Sequence, residues 1–349
     1  MTRGSAGFTL AEMLVAMALT LAVVSAVAAL AAQTDRLARA QPRVMDAQQR
    51  GRVVAEALGR DLRLAGAGID RGPIVGMVGM TGMTGPLHHA FAAVWPRRVG
   101  RIRADSPATA RADVITLVYV PDTLVQTSLA AGHAASAGQM ALSPCAAGAA
   151  CHLTRGATLA LFDAQGRVDL LGVLGGADGW PDVRTLGASA GGFASGATVA
   201  EVVIRSYYFD SASSQVRVYD GDGTDQPLMD DVAGLAFEYF GDPQPPQPPQ
   251  WPRPEPGTAN CLYAESGDLR PAATLAATEA GLAALPLAMF ADGPWCGAGG
   301  TAFDADLLRV RRVRAVARLR ASGPRDPLPD YRVVIDVSPP NLGLAGGGA

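Results

Sequence analysis

The sequence predicts an α+β protein: one long N-terminal helix packed on an antiparallel β-sheet domain with insertions. Three observations predict it. Residues 8–32 form an apolar run with a single charge, Glu12. Residues 33–68 then carry apolar side chains at steps of three and four. Beyond residue 70 the pattern changes to period two, in short β-rich runs between Gly- and Pro-rich turns. Strands that cluster after one helix, instead of alternating with helices, argue against a parallel sheet.

Composition narrows the chemistry. The 349 residues include 29 basic and 32 acidic side chains, for a net charge of −3, and every basic residue is Arg. Apolar residues make up 49% and charged ones only 17%, which excludes a disordered polyelectrolyte and a strongly basic nucleic-acid binder. Without lysine there is no Schiff-base catalyst and no P-loop.

The chain opens on a short polar leader, residues 1–7, carrying Arg3. The run FTLAEMLVAMALTLAVVSAVAALAA at 8–32 follows. As a helix it would be about 37 Å long, enough to cross a hydrocarbon core of about 30 Å. A plain membrane anchor fits that length. A secretory signal peptide fits too, with Ala29-Leu30-Ala31 as an A-x-A cleavage site. Neither explains Glu12, since a carboxylate inside a span costs about 3 kcal/mol and marks function by default.

Gly7-Phe8-Thr9-Leu10-Ala11-Glu12 resembles the prepilin-peptidase site of type IV pilins and type II secretion pseudopilins. The resemblance implies cleavage between Gly7 and Phe8, N-methylation of Phe8, and Glu12 as the fifth mature residue. It also gives Glu12 a role in assembly: its carboxylate pairs with the α-amine of a neighbouring subunit, so a buried charge meets its opposite. The implied fold is pilin-like, and the implied protein is a structural subunit without catalytic residues or a cofactor. Its implied partners are other minor and major pilins or pseudopilins, the prepilin peptidase and the inner-membrane assembly platform. The implied location is the inner membrane, single-pass with the C-terminal domain periplasmic, and then a pilus or pseudopilus. One count opposes this: Arg36, Arg39 and Arg43 follow the span while only Arg3 precedes it, which by the positive-inside rule puts the C-terminal side in the cytoplasm.

In the amphipathic half, residues 33–68, Val44, Ala47, Gly51, Val54, Leu58, Leu62 and Ala65 line one face, with Arg50, Arg52, Glu56 and Arg60 between them. Pro42 is expected to bend or interrupt the rod, and Gly66-Ala67-Gly68 to end it. The segment 58–68 resembles the helix end of minor pilins of the PilW type and pseudopilins of the GspJ (PulJ) type. So do 205–240 and 331–342.

The β-rich head, 69–349, is read as strands at Asp113–Val120, Thr158–Phe162, Val168–Val173, Val199–Phe209, Gln215–Tyr219, Leu235–Phe240, Val310–Leu319 and Tyr331–Val337. Residues 243–256 hold eight prolines and read as an exposed polyproline II stretch or a loop, a stiff spacer more than a partner site. A Cys261-to-Cys296 insertion follows, with an Ala/Leu-rich helical patch expected around Ala272–Leu285. The four cysteines, none in CxxC, suit an oxidising compartment better than a zinc site. Three pairings are possible, and proximity favours Cys145–Cys151 and Cys261–Cys296.

Other chemistry is thinner. Gly187-Ala188-Ser189-Ala190-Gly191 matches G-x-S-x-G but lacks the helix a nucleophile elbow needs. Asp220, Asp222 and Asp225 have the oxygen spacing of a calcium loop without its closing glutamate, and their DG repeats equally suit a hairpin turn. Met77, Met80, Met83 and His88-His89 offer copper-type ligands within what reads as a surface loop. On the last long strands, Arg312, Arg314, Arg318 and Arg320 are expected to face outward and to guard an exposed strand edge. They also support a different reading, a membrane-anchored or pilus-borne binding module such as an adhesin or DNA receptor.

Overall fold

A computed structural model describes residues 9–67, 92–121, 125–145, 151, 153–162, 168–186, 189, 191–244, 274–277, 281–296, 299–321 and 329–342. These fall into two compact units. One comprises the chain up to Arg50 with Arg320–Tyr331; the other comprises Gly51–Leu319 and the chain from Arg332.

Helix α1, Leu10–Leu64, is one continuous element of 55 residues. Thr9 and Glu12 cap its start. The Thr9 N–H and hydroxyl donate to Glu12 Oε2 at 2.9 and 2.8 Å, and Glu12 N–H donates back to Thr9 Oγ1 at 3.3 Å. This reciprocal box satisfies helix donors that would otherwise lack partners. Within the apolar run and just past it, Thr20, Ser25 and Thr34 donate their hydroxyls to the carbonyls of Ala16, Leu21 and Leu30, so none of these hydroxyls needs water. Pro42 lies inside the helix and does not interrupt it, so of the two expected effects, bend or interruption, the interruption is absent. A proline forfeits one backbone bond and crowds one carbonyl, and the turns on either side hold the helix together. The helix does end where expected: Gly66 adopts φ +80°, the left-handed exit that glycine takes without a Cβ penalty. Its N–H then bonds Val118 O at 3.0 Å.

In the larger unit the head is built on antiparallel strands. Strands β1 (Val94–Trp95), β2 (Val114–Tyr119), β3 (Gln126–Ser128), β4 (Thr158–Phe162), β5 (Val168–Ala177), β6 (Trp180–Thr185), β7 (Thr198–Asp210), β8 (Gln215–Tyr219) and β9 (Asp225–Met229) form one sheet. The 13-residue β7 organises it. Its first half pairs with β4 and β3, its second half with β2 and β8. A second sheet has the order β11 (Ala283–Leu285), β10 (Val232–Gly241), β14 (Val310–Leu319), β15 (Tyr331–Val337). A short pair, β12 (Trp295–Cys296) and β13 (Phe303–Asp304), completes the strands described.

Helix residues Val54, Leu58 and Leu62 are buried, as the heptad-like spacing predicts, and Gly59 lies against Ile335 of β15. A separate core forms under the first half of β7, where Leu129, Leu159, Leu171, Val183, Phe193 and Val199 pack together with Cys145 and Cys151 alongside.

Two further expectations change. Residues 274–277 are irregular and Ala283–Leu285 is a strand on β10, not a helical patch. Pro286 disfavours a helical Leu285, and the free edge of β10 offers backbone partners that an isolated short helix cannot match. Strand β14 lies between β10 and β15, so its arginines do not guard an edge.

Candidate functional site

The N-terminal segment carries the strongest functional chemistry. Gly7 and Phe8 lie outside the described residues. Glu12, in the first turn of α1, is exposed and, among the described residues, is bound only through its cap to Thr9. Leu10–Asp35 is, among the described residues, the helix segment long and apolar enough to cross a membrane, and none of its most apolar stretch is buried.

Further along the same helix, Asp61 is 1% exposed. It accepts from Tyr207 Oη at 2.7 Å, Arg205 Nη1 at 3.0 Å and Tyr119 Oη at 3.2 Å. Burial and the Asp61 charge push the Tyr119 phenol up to about 12, and push Tyr207 higher still. Both hydroxyls therefore stay protonated as donors. The cluster fastens the helix end to β2 and β7. Its sequence signal is an acid on the apolar stripe, between Leu58 and Leu62, where a solvent-facing charge does not belong.

The other candidates are placed as follows. Asp220 Oδ1 accepts the N–H groups of Asp222, Gly223 and Thr224 at 2.9–3.1 Å, the Asx-type closure of a hairpin turn. Asp222 pairs with Arg101 and Arg184, and Asp225 with Arg103 and Arg217. The three carboxylates thus face backbone amides and guanidinium groups, which an ion would have to displace. Cys145 and Cys151 form a disulfide with Cα atoms 5.2 Å apart; Cys261 lies outside the described residues, so the partner of Cys296 is not defined by them. Met77, Met80, Met83, His88 and His89 lie outside them as well.

On β14, Val313, Ala315, Ala317 and Leu319 are buried and Arg312, Arg314 and Arg318 alternate with them toward solvent. Arg312 and Arg314 both bond Asp336 and both lie over the Phe240 ring; Arg314 also reaches Glu238 at 3.5 Å. Arg318 and Arg320 are exposed. Ser189 donates to the buried Asp169, and it accepts from Gly191 N–H at 3.1 Å, which makes it a loop fastener.

One group escaped the sequence. Asp292, Asp304 and Asp306 bring carboxylate oxygens within 4.8 Å of one another. Asp304 accepts from the N–H groups of Asp292, Gly293 and Asp306, and Asp306 pairs with the buried Arg309 at 3.0 Å. Burial pushes Asp304 up to about 6, with Asp306 and Asp292 adding repulsion against the pull of the amides. Asp292 and Asp304 are twelve positions apart in the chain, so no local motif announces the group.

No curated protein and no solved structure matches the chain. Residues 2–28 match the prokaryotic N-terminal methylation motif. That motif, overlapping the apolar start of a helix that leads into an antiparallel β domain, supports a type IV pilin-like protein, of a kind that prepilin peptidase processes and that assembles with other pilins.

Proposed function

We propose that the protein is a minor pilin or pseudopilin that assembles through its N-terminal helix into a type IV pilus or type II secretion pseudopilus. The observation that carries this is the methylation motif running directly into a single 55-residue helix, apolar and exposed at its start and fastened into a β domain at its end. Before assembly the apolar half sits in the inner membrane, with the head periplasmic. On extraction it packs against the helices of other subunits, where Glu12 exchanges its cap to Thr9 for the α-amine of a neighbour.

The size of the head supports a place at the tip or initiation complex, since a bulky head crowds a repeating shaft. Deleting the gene is expected to abolish filaments or secretion. Immunogold label is expected at filament ends, and label along the whole shaft contradicts the tip placement. Filaments that persist after deletion while adhesion or DNA uptake is lost would favour the binding-module reading instead.

A further inference from the structure

The hairpin of β5 and β6 carries a surface outside the N-terminal helix through which assembly is proposed. Along β6, Pro181 and Val183 are buried, which leaves Trp180, Asp182 and Arg184 on the opposite face. Trp180 is 54% exposed. Beside Asp182, on the flank away from β5, runs Gln139, joined to it as a bridge partner, and Gln139 Nε2 donates to Asp182 Oδ1 at 3.1 Å. On its other flank Asp182 opposes Gly175, next to a bulge in β5. A Cβ at Gly175 would meet nothing within 4 Å, so the floor there is bare backbone and open space. Among the described residues, Asp182 Oδ2 and Gln139 Oε1 have no further partner.

We propose that this face binds a neutral polysaccharide, one pyranose ring lying on Trp180 and its hydroxyls held by Asp182 and Gln139. A pyranose has an apolar C–H face and a rim of hydroxyls that both donate and accept. An exposed indole matches the face. A carboxylate oxygen paired with an amide, both planar and fixed by their mutual hydrogen bond, matches two adjacent hydroxyls. The glycine floor admits the ring edge where any side chain would block it.

A protein contact fits less well. Interface cores are contiguous, apolar and poor in charge, whereas the exposed large apolar side chains of this hairpin are Trp180 and Leu174, with polar groups directly beside them. A nucleic acid fits less well again. Asp178 and Asp182 repel phosphate, and the nearby Arg184 is already held by Asp222. The same two acids disfavour acidic glycans, which is why the ligand is a neutral one.

The test uses the full chain in a polyoxyethylene detergent, because sugar-headed detergents would compete. Cellohexaose, chitohexaose and maltohexaose are titrated by calorimetry and tryptophan fluorescence. At least one is expected to bind saturably, with Trp180→Ala weakening it about tenfold or more, Trp180→Phe less, and Asp182→Asn severalfold. Trp180 is on the surface, so unchanged melting of Trp180→Ala separates lost binding from lost fold. No saturable binding to any of the three, or equal binding by Trp180→Ala, overturns the proposal. So does a purified partner pilin that binds through Trp180 while the sugars do not. The proposal does not depend on assembly, and a protein that forms no filaments would still show it.

Discussion

Asp61 shows how much one side chain can decide. Its carboxylate serves two phenols and a guanidinium, and it is nearly inaccessible to water. Asp61→Ala strands those donors and is expected to cost about 3 kcal/mol in urea unfolding, less than a fully buried triad because Arg205 is half-exposed. Asp61→Asn keeps an acceptor and should cost about half as much. Asp304 gives a second test, by pH. Its folded pKa, about 6, lies above the usual aspartate value near 3.9, so the fold holds the proton longer than the unfolded chain does. Its contribution is most favourable below pH 4, declines as pH rises toward 6 and is constant above. Denaturant melts of wild type and Asp304→Asn from pH 4 to 7 should therefore show the variant gaining on wild type by about 2 kcal/mol.

Elements were legible where one period ruled. Strands β4, β8, β14 and β15 fall on their expected bounds, β4 as a short, wholly buried apolar run and the others as mostly alternating ones. Strands β6 and β9 did not show, because Pro181 and Pro227 sit within them. An edge strand tolerates such a proline, as β9 does beside β8, and a sequence pattern cannot tell an edge from a loop. Strand β11 is made of Ala and Leu, which favour helix locally; only its pairing with β10 makes it a strand. The Thr9-x-x-Glu12 spacing is that of a capping box, a signal overlaid in the sequence by the apolar span that holds Glu12.

Two element-scale outcomes follow from this geometry. Gly100 has φ +147°, and a Cβ there would lie 2.2 Å from Gly221 O. Gly100→Ala must therefore push apart the loop that Arg101 N–H closes onto Gly221 O, and should lower the melting temperature by several degrees. Removing the Cys145–Cys151 bridge by serine substitution should cost about 2 kcal/mol, as expected for so short a loop. Melting curves of oxidised wild type and the double variant check it.

At the scale of the whole molecule, the proposed assembly role belongs to the N-terminal half of the helix. Glu12→Ala removes the two hydrogen bonds that Glu12 Oε2 accepts from Thr9 and, among the described residues, none to the head. It should leave urea unfolding of the head unchanged while abolishing incorporation into filaments, read by blotting sheared filaments against whole cells. The arginine-rich β14 was legible as an outward face, but its place between β10 and β15 was not, since strand order depends on contacts between residues far apart in the chain. The central claim, a processed and methylated helix built for assembly, rests on the first peptide of the mature protein. Mass spectrometry of that peptide from the native cell is expected to show N-methylated Phe8 as residue one. A chain beginning near Ala32, or one that keeps Met1 through Gly7, would contradict it.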